Sequence, residues 1–215
     1  KARRGQRVLI GPWMHGPTLI DPAFDRFVGE LDFGPDALLD LNREMLQWFD
    51  YWLRSEPNGV MDSPPVRYFL MGANRWCTAE SWPPSESKPL RLYFTRGTGR
   101  TERSLNNGRL TREKPTGSQA ADSFVYDPRD PVPSIGGNTL HSPPLPAGRT
   151  GPLVADFMAA AGPRDQSSTE GRCLTYTTEP LAEDLEVVGP VRVILHASSS
   201  APDTDFVARL CDVFP

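Results

Sequence analysis

Val191-Arg192-Val193-Ile194-Leu195-His196 decides the fold class. Its side chains step between apolar and polar, and a period of two places successive residues on opposite faces of a β-strand. Phe206-Val207-Ala208-Arg209-Leu210-Cys211-Asp212-Val213 shows the same texture. Working outward, short β-like runs recur from Pro65 onward: Val66–Met71, Leu90–Thr95, Ser123–Tyr126, Cys173–Thr177, Glu186–Val188, Val191–His196 and Thr204–Val213. Strands at this spacing predict a mainly β chain, an antiparallel sandwich or jelly roll. Asn106-Asn107-Gly108 and Ile135-Gly136-Gly137-Asn138 fit the turns between them, and 97–121 and 141–169 read as long polar or proline-rich surface loops. Pro and Gly together supply 41 of 215 residues (23 and 18) and are spread throughout, which suits short strands and turns better than a helical bundle.

The first sixty residues read differently. Val8–Ile10 is short, wholly apolar and stopped by Gly11-Pro12, as a buried parallel strand would be. His15 follows on the loop beyond it, the layout by which a serine hydrolase hangs its general base off a strand end. Residues 16–35 are irregular. A helix is predicted from about Asp36 to Arg54, because Leu38, Leu41, Met45, Trp48, Phe49, Trp52 and Leu53 recur at three- and four-residue steps. Such an aromatic face is expected to pack into a core. One strand and one helix cannot complete an α/β layer, and Asp212-Val213-Phe214-Pro215 ends within or just after a strand, so the sequence reads as part of something longer.

Net charge is −4 with no block of like charges, which argues against nucleic acid or an anionic membrane surface as partner. No window approaches the roughly 20 apolar residues of a membrane-spanning helix. Cys77, Cys173 and Cys211 are too far apart for a disulfide framework or zinc site and read as reduced thiols of a cytoplasmic protein. Asp127, Asp130, Asp165, Asp203 and Asp205 are scattered, and Asp-Pro pairs form turns, so no metal is expected.

Gly11-Pro12-Trp13-Met14-His15-Gly16 resembles the histidine loop of the CocE/NonD hydrolases, the family of cocaine esterase, α-amino-acid ester hydrolases, glutaryl acylases and X-Pro dipeptidyl-peptidases. The resemblance continues in order through Pro64–Gly72, Trp76, Trp82-Pro83, Tyr126–Gly137, Gly162–Gln166, Tyr176–Leu181 and Ala197–Phe206. It implies an intact enzyme of three parts: an α/β-hydrolase domain, a helical cap and a C-terminal jelly roll. Residues 1–62 would be the end of the first, supplying its last strand, histidine loop and helix. Residues 63–215 would be the jelly roll, truncated. Serine and aspartate would lie outside this chain, which contains no G-x-S-x-G.

His15 is then the candidate catalytic base, taking the serine proton and returning it to the leaving group. Trp13 either walls the substrate pocket or packs the loop onto the domain. Asp21, Asp25 and Glu30 read as solvated charges. The resemblance places Leu140 and His141 on a loop lining the acyl pocket, where His141 departs from the aromatic residue expected. No cofactor is implied, and the substrate would be a small ester, an amide or a short peptide. Self-association through the exposed hydrolase remnant is also expected. A binding module is the competing reading, a β-sandwich taking carbohydrate on Tyr68, Trp76, Trp82 and Tyr93 without catalysis.

Overall fold

The computed structural model describes residues 5–13, 26–97, 99, 103–137 and 162–214. In chain order they form β1 (Val8–Ile10), β2 (Phe27–Val28), β3 (Leu31–Asp32), a 3-10 turn (Pro35–Ala37), α1 (Leu41–Arg54), β4 (Val66–Leu70), β5 (Arg75–Ala79), β6 (Tyr93–Thr95), β7 (Gly108–Thr111), a second 3-10 turn (Ser167–Arg172) and β8 (Tyr176–Thr177). Three small sheets result, ordered β1-β4-β5, β2-β3 and β6-β7-β8. The described residues are thus sheet and extended chain with one α-helix.

β1 does find a partner. It pairs in parallel with β4, Val8 opposite Val66 and Ile10 opposite Tyr68, across the 62/63 boundary read from the sequence. Parallel strands need a long crossover, and α1 lies within this one. Arg7 fixes the register. Its guanidinium donates to the carbonyl oxygen of Val60, to Ser63 Oγ at 2.7 Å and to the Pro64 carbonyl at 3.1 Å. β5 then folds back antiparallel on β4 through the Met71–Asn74 turn, setting Trp76 opposite Phe69.

The core lies on the face of this sheet that carries Phe69. Val28, Phe33, Ala37 and Phe69 are buried together, with Trp76 packed against them. Phe33 and Trp76 both present to Phe69 in edge-to-face geometry, at 6.1 and 5.3 Å between ring centroids. On the opposite face Tyr68 is buried against Trp82. Burial pushes the Tyr68 hydroxyl above its usual pKa, with a lesser contribution from nearby Cys77.

The helix starts later than its periodicity predicts. Leu38 is extended, and the Asp40 side chain accepts from the Arg43 backbone N–H at 3.0 Å, so Asp40 caps the helix instead of joining it. The far end falls at Arg54 as expected, closed by Ser55 in the left-handed region at φ 58°. Core packing of α1 is not what the structure shows: none of its residues is buried, and Leu46 and Leu53 are 62% and 77% exposed. Contact with the sheet includes an ion pair, Arg67 to Glu44 at 3.2 Å.

Of the β-like runs, Val66–Met71 forms β4, while Leu90–Thr95 and Cys173–Thr177 contribute only their last residues to β6 and β8. Ser123–Tyr126, Glu186–Val188, Val191–His196 and Thr204–Val213 carry no ladder. Alternation readies a strand for a sheet, but pairing also needs a neighbour with free N–H and C=O groups.

Candidate active-site framework

The chain leaves β1 through Gly11-Pro12-Trp13, and Trp13 is held at both ends of its ring system. Its indole N–H donates to the Ala37 carbonyl at 3.3 Å, and its ring lies 5.7 Å from that of Trp76. Trp76 donates in turn to the Asp36 carbonyl at 2.7 Å. Two adjacent carbonyls of the 3-10 turn thus each receive an indole, satisfying acceptors that a short helix leaves open. The Trp13 ring folds back so closely that a Cβ on Gly11 would come within 2.3 Å of it. Of the two roles read for Trp13, the geometry supports packing the loop.

A second junction lies at the β2-β3 turn. Gly29 crosses Gly162 so tightly that a Cβ on Gly162 would meet the Gly29 nitrogen at 2.4 Å. Gly162 also exchanges two 2.8 Å backbone hydrogen bonds with Gly137. Glu30 reinforces the crossing. Its carboxylate accepts from the Asp165 N–H at 3.2 Å and pairs with Arg164 at 3.5 Å, while its backbone N–H donates to the Pro163 carbonyl at 3.1 Å. Glu30 is therefore not merely a solvated loop charge. The Pro133–Gly137 loop and the Gly162–Gln166 segment are tied to each other here and to the hairpin that follows the histidine segment.

The hairpin is braced from outside. Arg26 grips Asp32 through two hydrogen bonds of 2.8 Å, and Asp32 also accepts from the Gly34 N–H at 2.8 Å. The Arg26 hydrogen bonds foremost, with that from Gly34, pull the Asp32 carboxyl down to about 2.

A polar cleft of about 480 Å³ lies elsewhere, along Arg96, Gly97, Leu105, Asn106, Gly108, Ala121, Asp122 and Ser123. Its charges are turned on each other. Asp122 accepts from Tyr176 Oη at 2.7 Å and Asn106 Nδ2 at 3.1 Å and pairs with Arg96 at 3.5 Å. Burial raises the Asp122 pKa, but the hydrogen bonds and the Arg96 charge outweigh it, and the net direction is down. Tyr176 is pushed up to about 12, by burial first and by its bond to Asp122 second. This network staples β8 to the 119–123 segment and lies apart from the Trp13 junction.

Residues 58–215 match the family described as the X-Pro dipeptidyl-peptidase C-terminal non-catalytic domain. The chain belongs to that family. It is also 35% identical to cocaine esterase of Rhodococcus sp. (strain MB1 Bresler) over 97% of this chain and 33% of that protein. Two mycobacterial proteins, of Mycobacterium bovis and Mycobacterium tuberculosis and each provisionally described as a serine esterase, are 28% identical over 98% of this chain and 29% of their own length. The crystal structure of an aminopeptidase from a marine sediment archaeon, Thaumarchaeota archaeon, aligns over 60% of this chain and 19% of that one, at TM-score 0.41 and 30% identity. The chain spans about a third of the length of the curated relatives it matches. These relatives bear out the CocE/NonD resemblance.

Against this family frame, Trp13 is placed and half-buried, whereas His15, Leu140 and His141 lie outside the described residues. Among the described residues no cluster of three His, Cys, Asp or Glu side chains could hold a metal. Asp127 and Asp165 serve their own turns, accepting from Arg129 and Ser167 respectively. Cys77 and Cys173 are half-buried and Cys211 is exposed, all as free thiols. No helix among the described residues is long and apolar enough to cross a membrane. Tyr68 and Trp76 are committed to packing rather than offered as a stacking face for sugars. The sequence reading missed the crossing of Gly29 with Gly162 and the bracing role of Trp76. Gly162 and Trp76 lie within the family landmarks and were the available signals, whereas Gly29 lies outside them.

Proposed function

We propose that this chain is the C-terminal part of a serine hydrolase cleaving ester or amide bonds, the X-Pro peptide bond included, through an acyl-serine intermediate. His15 is its general base, the serine and aspartate come from the preceding part of the protein, and residues 63–215 form its jelly-roll domain. The observation that carries this reading is the 35% identity to cocaine esterase over 97% of this chain; within the fold, the ends of the two segments that hold the candidate site residues meet at one junction. In sequence, residues 14–25 lie between Trp13 and the β2-β3 hairpin, and residues 138–161 lie between Gly137 and Gly162, which are bonded to each other, with Gly162 against that same hairpin.

In the first half-reaction His15 accepts the serine proton as the oxygen attacks the acyl carbon, then delivers it to the departing alkoxide or amine. Water repeats the cycle on the acyl-enzyme. Leu140 supplies an apolar wall for the acyl group and His141 a polar edge. No cofactor takes part. The 215-residue chain by itself is inert, because triad members act as a unit. In the complete protein His15→Ala is expected to lower p-nitrophenyl ester turnover at least about a thousandfold. Turnover that survives the substitution removes His15 from the mechanism.

The exposed face of α1, with Leu46, Phe49 and Leu53, is proposed to drive self-association of the isolated chain. Light scattering from a clean monomer would count against it.

A further inference from the structure

Among the described residues, Trp76 of the domain described as non-catalytic touches Trp13 at the start of the histidine loop. Trp76, on β5, is clamped from several directions. Phe69 meets it edge-on at 5.3 Å, the Arg67 guanidinium lies 4.6 Å from its ring centroid, and its N–H is spent on the Asp36 carbonyl. Arg67 is itself steadied by Glu44 of α1 at 3.2 Å. Trp13 leans on this fixed ring and binds the next carbonyl along, that of the fully buried Ala37. His15 follows two residues later in the chain. An imidazole must be held to within about half an ångström to transfer a proton productively, and such precision comes from a rigid support behind it.

We infer that Trp76 is a positioning residue: through Trp13 and the Pro35–Ala37 turn it sets the root of the His15 loop. This rests on the reading of His15 as general base, and the test separates the two. Trp76→Phe keeps the ring and removes the hydrogen bond to Asp36, and Trp13→Phe does the same toward Ala37. The 215-residue chain has three histidines, His15, His141 and His196. The imidazole resonance lost in His15→Gln identifies His15 by NMR. Either phenylalanine variant is expected to shift or broaden that resonance and to leave His196 in place. In the complete protein each should lower kcat about ten- to a hundredfold with KM within twofold, and displace the acid limb of the kcat/KM–pH profile. If one variant fails to fold, the other asks the same question. An unmoved His15 resonance, or unchanged kcat in a protein that His15→Ala inactivates, overturns the inference. Activity that survives His15→Ala instead removes the general-base reading, while the NMR result still decides whether the anchor exists.

Discussion

The β1-β4-β5 sheet and the stretch from Leu185 to Phe214 draw on similar side chains, yet one is a core and the other is not. In the sheet Val66, Tyr68 and Phe69 are each 7% exposed or less. In the stretch Ile194 is 73% exposed and Val207 88%. The difference is what meets them. β4 has a strand on each side, a cluster of rings on one face and Trp82 on the other. Val191–His196 has no ladder partner, so its alternation orders side chains along the chain without removing them from water. Burial stabilises by roughly 25 cal/mol per Å² of apolar area, and without a covering neighbour that gain is forgone.

The largest contrast is expected in amide hydrogen exchange. Amides of β4 and β5 should exchange at least about a thousandfold more slowly than those of 191–196 and 204–213. Comparable protection in both would mean that the stretch is paired in solution. Phe69→Ala comes next, at about 3–5 kcal/mol in denaturant unfolding, while Ile194→Ala should lie within about 0.5 kcal/mol of the parent. Equal losses would erase the distinction. Gly162→Ala should cost about 2 kcal/mol or more, since φ is +82° and the new Cβ meets the Gly29 backbone. A neutral result would show that the crossing yields.

Smallest is Tyr176→Phe, at about 1 kcal/mol for one lost hydrogen bond. Because the folded pKa of Tyr176 is raised from 10 to about 12, its contribution is complete below pH 10 and lost as pH climbs toward 12. The variant should therefore show a flatter alkaline fall in stability. Asp32 has the opposite sign. Its pKa is depressed from 3.8 to about 2, so its contribution is lost as pH falls through that window, and Asp32→Asn should lose that acid dependence.

What the sequence made legible was local. The parallel character of β1, β4, the end of α1 at Arg54 and the order of family landmarks could each be read from neighbouring residues. The start of α1 was misplaced because periodicity counts Leu38 and cannot register that Asp40 turns its carboxylate back onto the helix. β5 went unread because Arg75-Trp76-Cys77-Thr78-Ala79 has little apolar pattern and takes its identity from β4 across the turn. The crossing joins Gly29, Gly137 and Gly162, more than a hundred residues apart at the extremes, and only the folded chain brings them together. Trp13 presented two roles that spacing could not separate. The hydrogen bond to Ala37 shows how the ring is held and supports the packing role.

The parallel ladder between β1 and β4 bears on how this family's domain can be excised. The family match begins at residue 58, whereas β4 is flanked on one side by residues 8–10. Trimming to the matched span would strip β4 of that flank, together with the Arg7 clasp, and leave a bare row of amides and carbonyls beside apolar Val66 and Tyr68. Such a raw edge recruits strands from other molecules, so the shortened domain should aggregate by edge-to-edge strand pairing.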